Sequence, residues 1–60
     1  MAQHSLGDAR RQAAQCDMLI ERNKNRGPIY LVIRRGRTMH TANDLEDVLG
    51  WLKAWRQYAP

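Results

Sequence analysis

The sequence predicts a small α+β domain in which two helices pack on a β-hairpin, in the order α-β-β-α. Apolar residues recur at helical spacing near both ends of the chain, and a β-branched stretch without helix breakers lies between them. Gly and Pro residues separate these segments. Because the chain has only 60 residues, we treat residues 1–60 as a single domain.

The first helix is predicted over residues 5–25. Ser5 followed by Asp8 is a capping-box start. Gly27 and Pro28 then supply a left-handed position and a residue that cannot continue a helix. The apolar stripe of this helix is thin and rich in alanine: Leu6, Ala9, Ala13, Cys16 and Ile20. We therefore expect the helix to lie close against its neighbour.

The hairpin is predicted over residues 29–41. Residues 29–34 are β-branched, aromatic or aliphatic up to a final arginine, which favours a strand. Arg35-Gly36 is typical of a turn, and residues 37–41 would form the returning strand.

Two registers are open for this hairpin. A two-residue loop pairs Val32 with Met39 and places Arg34 opposite Arg37, whereas a three-residue loop with a glycine bulge pairs Ile33 with Met39. Like charges directly opposite each other are unfavourable. We therefore expect the three-residue loop.

The first hairpin strand is apolar on both faces. Ile29, Leu31 and Ile33 share one face, and Tyr30 and Val32 share the other. Two short helices cannot easily cover both faces, and two strands alone are marginal in water. Either a second copy covers the other face, as in a homodimer with a four-stranded sheet, or another partner does.

The second helix is predicted over residues 44–57. Asn43 serves as N-cap with Glu46 three residues later. One apolar face follows: Leu45, Val48, Leu49, Leu52 and Trp55. Trp51 and Tyr58 lie together on a flank of that face, where one of them could form an exposed aromatic anchor.

The positive charge of the chain is concentrated in residues 22–37. This window holds six of the ten basic residues and no carboxylate, while the net charge of the whole chain is +4. The segments before and after it each carry a net charge of −1. Such a basic patch is typical of a docking surface for an anionic partner, either a phosphate backbone or an acidic protein.

The candidate binding residues are the cations of this window and the aromatic residues that could support them. The hairpin arginines present guanidinium groups suited to carboxylate or phosphate, and base stacking beside them could come only from the tyrosine of the strand. The full set is Arg34, Arg35, Arg37, Arg26, Lys24, Trp51, Tyr58 and Tyr30.

The sequence shows no arrangement of residues that is typical of catalysis or of a metal or cofactor site. Cys16 is the single cysteine, which excludes an internal disulfide, and with His4 and His40 it has no metal-ligand spacing. A ribonuclease using His40 is a distant hypothesis, because no second acid or base is placed beside it. We therefore expect a protein that is not an enzyme and needs neither metal nor cofactor.

No segment predicts export or a membrane span. Residues 1–7 contain no apolar core of a signal peptide, and the longest strictly apolar run, residues 29–33, is far too short for a bilayer. We expect a soluble protein of a reducing cytoplasm, with no membrane partner.

The leading functional hypothesis is a non-enzymatic binding protein that docks on a protein or nucleoprotein complex through its basic hairpin and acts as an inhibitor or regulator. The alternative is a small basic nucleic-acid-binding regulator, most readily a homodimer. Size and lack of catalytic chemistry are shared with small phage and bacterial accessory proteins, including inhibitors of the anti-CRISPR type. This is a class-level expectation that no residue motif carries.

Overall fold

The structure, a computed structural model, describes residues 5–58, so His4 lies outside the described residues. These residues form two helices and three strands, which confirms the α+β prediction. The order is α-β-β-β-α, with one strand more than predicted. The elements are α1 (Leu6–Gln15), β1 (Leu19–Arg22), β2 (Tyr30–Arg34), β3 (Arg37–Ala42) and α2 (Leu45–Tyr58).

The first helix ends at Gln15, so its predicted extension to residue 25 is wrong. Its start is as predicted, since Ser5 caps it. Asp17 adopts the left-handed conformation at φ 61°, and the Met18 N–H donates to Ala13 O at 2.9 Å. This bonding pattern is a Schellman motif, in which a left-handed residue just after the helix redirects the chain. Aspartate tolerates that conformation better than most residues with a Cβ, so no glycine is needed.

Strand β1 occupies residues predicted as helix. It pairs antiparallel with β2, with Leu19 opposite Ile33 and Ile20 opposite Val32. The strand order is β1-β2-β3, so β1 and β3 are the two edges. Gly27, at φ 123°, therefore belongs to the loop between β1 and β2 and does not end a helix.

The predicted hairpin is confirmed as β2 and β3, but the three-residue loop is wrong. Arg34 lies opposite Arg37 across a two-residue turn. Arg35 and Gly36 have φ values of 53° and 78°, as the two central residues of a type I′ turn require. This turn matches the twist of the strands, which outweighs the unfavourable pairing of like charges.

A bulge does occur, at Met39 within β3. Ile33 pairs with Thr38 while Val32 pairs with His40, so Met39 is the additional residue. The bulge shifts the faces of β3 by one residue, which places His40 on the same face as the buried Val32.

Helix α2 is capped by Asp44 and not by Asn43 as predicted. The Asp47 N–H donates to Asp44 Oδ1 at 2.7 Å. Both residues are good N-caps, but the helix begins at Leu45, which makes Asp44 the flanking residue.

The core lies between the helix layer and one face of the sheet. Buried residues of both helices form one cluster with the inner face of the strands, so α1 and α2 cover the same side. The cluster consists of Ala9, Ala13, Met18, Ile20, Val32, Ala42, Val48 and Leu52. The Cα positions span 34 × 33 × 15 Å, as in a flat two-layer domain. Within the described range, neither helix is long and apolar enough to cross a membrane.

Candidate docking surface

The basic window is continuous in sequence but divided in space. Its first half lies in the loop of residues 23–29 and at the end of β1, and its second half lies at the β2–β3 turn. These are opposite ends of β2, whose five residues span about 13 Å between their first and last Cα atoms. The domain therefore has two basic ends: a loop end and a turn end.

At the turn end, two of the three predicted hairpin arginines contact an acid of the chain itself. Arg35 Nε donates to Asp17 Oδ2 at 3.1 Å, and Arg34 Nε lies 4.0 Å from the same oxygen. The Arg34 guanidinium carbon lies 5.7 Å from the ring centroid of Trp55, and its Nε is buried without a hydrogen-bond partner. Arg34 and Arg35 are thus engaged within the domain, and the expected row of three free guanidinium groups is not what the hairpin presents.

Arg37 remains available at this end. It is exposed, and among residues 5–58 no carboxylate lies within 4.0 Å of it. The surface Arg35–Asp17 pair is itself a weak restraint, because both side chains are more than half exposed.

The same ion pair joins two unusual backbone positions. Among the described residues, Asp17 and Arg35 are the two non-glycine residues with positive φ. Arginine is a poor choice for the first position of a type I′ turn, where Asn, Asp or Gly is preferred. The backbone of Arg35 is therefore held in a conformation that Asn, Asp or Gly would adopt at a lower free-energy cost.

Replacing Arg35 with asparagine tests this strain. We expect Arg35→Asn to raise the free energy of unfolding by about 0.5 kcal/mol, because Asn-Gly fits the turn better and the lost surface ion pair is weak. For a domain of this size the melting temperature should rise by roughly 2–4 °C, measured by circular dichroism. Arg37→Asn, at an extended position, is the control and should give no rise. A lower melting temperature for Arg35→Asn would show that the contact with Asp17 outweighs the strain.

At the loop end, the seven-residue connection is braced by one side chain. Asn23 Nδ2 donates to Pro28 O at 3.0 Å, and Asn23 Oδ1 accepts from the Asn25 N–H at 3.1 Å. The Asn23 N–H also donates to Ile29 O at 2.8 Å. These three bonds connect Asn23, at the start of the loop, with its middle and its end.

The braced loop presents its cations to solvent. Arg22, Lys24 and Arg26 are all exposed, and within the described part of the chain none of them has a carboxylate within 4.0 Å. The helix predicted over residues 5–25 included Lys24, whereas the structure places both Lys24 and Arg26 on this loop.

Between the two basic ends lies the face of the sheet that the helices leave open. Leu19, Leu31 and Ile33 share this face with Thr38 and Thr41 of β3 and with Glu21 of β1, which lies opposite Leu31. Leu19 is 50% exposed. The two-sided apolar pattern of β2 is thus confirmed, with the helices covering only the side of Val32.

The aromatic residues lie on the helix side and mostly contact each other. Tyr30 packs against the core, so it does not offer a free ring beside the arginines. Trp51 stacks between His40, at 5.2 Å between ring centroids, and Trp55, at 5.5 Å. Trp51 and Trp55 are both half-buried. Tyr58, at 83% exposed, is the aromatic residue that remains free as an anchor.

His40 is held by an acid on α2. Its Nε2 lies 3.1 Å from Asp47 Oδ1, and because a carboxylate only accepts, His40 donates from Nε2. The pair links β3 to the first turn of α2. One face of the imidazole is stacked on Trp51, which is consistent with a structural role. Across residues 5–58, no group of three His, Cys, Asp or Glu side chains is arranged to hold a metal ion.

Four residues of this surface were not predicted as functional: Asp17, Leu19, Asn23 and Asp47. An Asn-rich stretch leading to Gly27-Pro28 is a loop signal that could have indicated the brace. Leu19-Ile20 following an aspartate could have indicated a strand. The ion pair between Asp17 and Arg35 has no sequence signal, because it depends on the fold.

No protein-family model matches this sequence, and neither the curated proteins nor the solved structures include a significant match to it.

Proposed function

We propose that this chain is a non-enzymatic binding protein that docks on an acidic surface of a larger protein or nucleoprotein complex and thereby inhibits or regulates it. The observation that carries the proposal is an open, mainly apolar sheet face that adjoins a loop with exposed cations, none of which has a carboxylate within 4.0 Å among residues 5–58. The docking surface differs from the predicted hairpin tip, because two of the tip arginines are engaged by Asp17.

The composition of this face fits a protein partner better than a single-stranded nucleic acid. Leu19, Leu31 and Ile33 form most of this face, Glu21 lies opposite Leu31, and exposed cations lie on the adjoining loop. Protein interfaces commonly combine an apolar centre with a polar rim. Binding of single strands on a sheet relies on aromatic side chains that stack on bases, and Tyr30 lies on the opposite face.

The fixed loop adds specificity to this arrangement. Because Asn23 braces the backbone, we expect the loop backbone to lose little conformational entropy on binding, while the Lys24 and Arg26 side chains still lose theirs. Guanidinium and ammonium groups on such a loop would face carboxylates of the partner and steer its approach. The proposed effect on the partner is steric.

Matched variants test the proposal. One variant replaces the apolar centre, Leu19→Thr/Leu31→Thr/Ile33→Thr, which retains strand propensity. A second, Arg22→Ala/Lys24→Ala/Arg26→Ala, removes the loop cations. A third, Arg11→Ala/Lys53→Ala/Arg56→Ala, is the control, because it removes the same charge from the helix layer. All are compared with the original chain in cross-linked pull-downs from nuclease-treated bacterial lysate, followed by affinity measurement on the purified partner.

We expect the control to recover the same protein partner as the original chain. The apolar and loop variants should each bind it roughly thirty-fold more weakly or worse, the effect of losing about 2 kcal/mol at a hot spot. A partner that binds all four proteins equally would overturn the assignment of this surface. Circular dichroism of each variant verifies that the fold is retained.

A second candidate, a nucleic-acid-binding regulator, is favoured by one observation: the four exposed cations of residues 22–37 other than Arg35 lack a carboxylate within 4.0 Å among residues 5–58, namely Arg22, Lys24, Arg26 and Arg37. A titration with a labelled 20-base-pair duplex and with a single strand, at 50 and 200 mM salt, separates the two candidates. If four phosphate contacts form, the logarithm of affinity should fall with that of salt concentration with a slope of about −3.6. Binding of this kind that is lost in the loop variant and kept in the control would replace the protein-docking proposal.

A further inference from the structure

The geometry points to a second interaction surface, at which two copies of this chain associate through the β3 edges and the adjoining flanks of α2. This surface lies at the side of the sheet, so it goes beyond the proposed function and leaves the open sheet face free.

Strand β3 is an edge strand, and some of its backbone groups face away from β2. The Asn23 N–H donates to Ile29 O, so the backbone groups of Ile29 face β1. Because this direction alternates along an antiparallel strand, the backbone N–H and C=O groups of Leu31 and Ile33 face β1 as well. Their β3 partners, Thr41 and Thr38, must therefore direct theirs outward. Within residues 5–58 no backbone hydrogen bond to these outward groups is formed, so they can pair with another strand.

The opposite edge of the sheet is less available. By the same alternation, Ile20 of β1 points its carbonyl outward, and Arg10 Nε of α1 donates to that oxygen at 3.3 Å. Strand β1 is also only four residues long, against six for β3. Pairing with a further strand is accordingly favoured at β3.

The bulge allows β3 to pair with its own copy in a register that a regular strand could not adopt. In an antiparallel pair of β3 strands, Thr38 of one copy faces Thr41 of the other, and the two-fold axis passes between Met39 and His40. Both threonines lie on the open face and both point their backbone groups outward, because Met39 shifts the alternation between them. A bulge also adds twist to an edge, so we expect the new pairing to be confined to residues 38–41.

Charge supports the antiparallel direction. The turn end of β3 carries Arg37, whereas the opposite end leads into Asp44 and Asp47 at the start of α2. Asp47 is about half exposed. Antiparallel pairing brings the basic end of each copy to the acidic end of the other, twice. A parallel arrangement would instead bring like charges together.

The flank of α2 above β3 completes the surface. Asp47, Trp51, Ala54 and Tyr58 follow at intervals of four, three and four, so they form one stripe. Trp51 stacks on His40 of β3, which places this stripe on the β3 side. The opposite flank lines a groove with Gln12 of α1, through residues such as Gly50 and Lys53.

The dimensions agree with contact between the two α2 helices. Strands lie about 4.8 Å apart, so a helix centred between β2 and β3 would be two strand spacings, about 10 Å, from its symmetry mate. Packed helices lie about 8–10 Å apart. The small side chain of Ala54, between Trp51 and Tyr58, permits this approach, and the exposed Tyr58 would become covered.

The test is the mass of the purified chain in solution, by light scattering and sedimentation equilibrium from 10 µM to 1 mM. We expect about twice the 7.0 kDa of one chain. Arg37→Glu and Asp47→Arg should each give monomers, and the double variant Arg37→Glu/Asp47→Arg should restore the dimer. Arg11→Glu, with the same change of charge on α1, is the control and should remain dimeric.

Amide hydrogen exchange then locates the contact. The Thr38 and Thr41 N–H groups should exchange slowly in the dimer and at least ten-fold faster in the Arg37→Glu monomer. A monomer at 1 mM, a double variant that stays monomeric, or fast exchange of both threonines in the dimer would each overturn the inference. Slow exchange produced only by adding a foreign strand-forming partner would assign the edge to that partner instead.

Discussion

Leu52→Ala should lower the free energy of unfolding by about 2–5 kcal/mol. Leu52 is one of the largest fully buried side chains, at 0% exposure, and it lies where α2 meets the sheet. Truncation removes its apolar contacts and leaves a cavity that a two-layer domain can only partly close. A stable chain of 60 residues has roughly 3–9 kcal/mol in total, so the variant should be largely unfolded at 37 °C.

Urea unfolding followed by circular dichroism measures this loss. Leu19→Ala is the matched control, because the same change is made at a leucine that is 50% exposed. We expect its free energy of unfolding to fall by about 1 kcal/mol or less. Equal losses for the two variants would mean that Leu52 does not occupy the centre of the core.

Ala13→Leu should also destabilise the domain, by about 1–3 kcal/mol or more. Ala13 is fully buried in the last turn of α1, and its carbonyl accepts the Met18 N–H that turns the chain into β1. A leucine there requires α1 to move away from the sheet, which strains both the core and this turn.

The neighbouring residue provides the control. Ala14 is exposed on the same helix, and leucine has nearly the helix propensity of alanine. Ala14→Leu should therefore change the free energy of unfolding by less than about 0.5 kcal/mol. If both variants unfold at the same urea concentration, α1 cannot lie as close to the sheet as the structure has it.

The fold class was predictable because its main signals are local. The β-branched residues of β2, the Gly36 turn and the apolar face of α2 each specify an element independently of the rest of the chain. The Ser5 cap was likewise predicted from its own spacing to Asp8.

The end of α1 was not predictable from the same kind of signal. Apolar spacing continues from Ala13 through Cys16 to Ile20 as if the helix persisted. In the structure Ile20 is buried as a residue of β1, whose alternation happens to agree with the helical stripe at that position. The decisive residue is Asp17, which adopts a left-handed conformation more often seen for glycine.

The candidate surface was only partly predictable, for a related reason. Sequence proximity grouped all six cations of residues 22–37, but β1 and β2 carry them to opposite ends of the sheet. Because strand β1 was not predicted, the position of Leu19 on the open sheet face and the contact of Asp17 with Arg35 were not predicted either. Long-range contacts such as these depend on topology, which local patterns do not encode.

The thinness of the domain limits how it can act. Across 15 Å there is room for one sheet and one layer of helices, and alanines at positions 9 and 13 bring these layers together. In residues 5–58, most side chains of so thin a body therefore lie at or near an outer face. The proposed docking would accordingly use an outer face or edge of the domain.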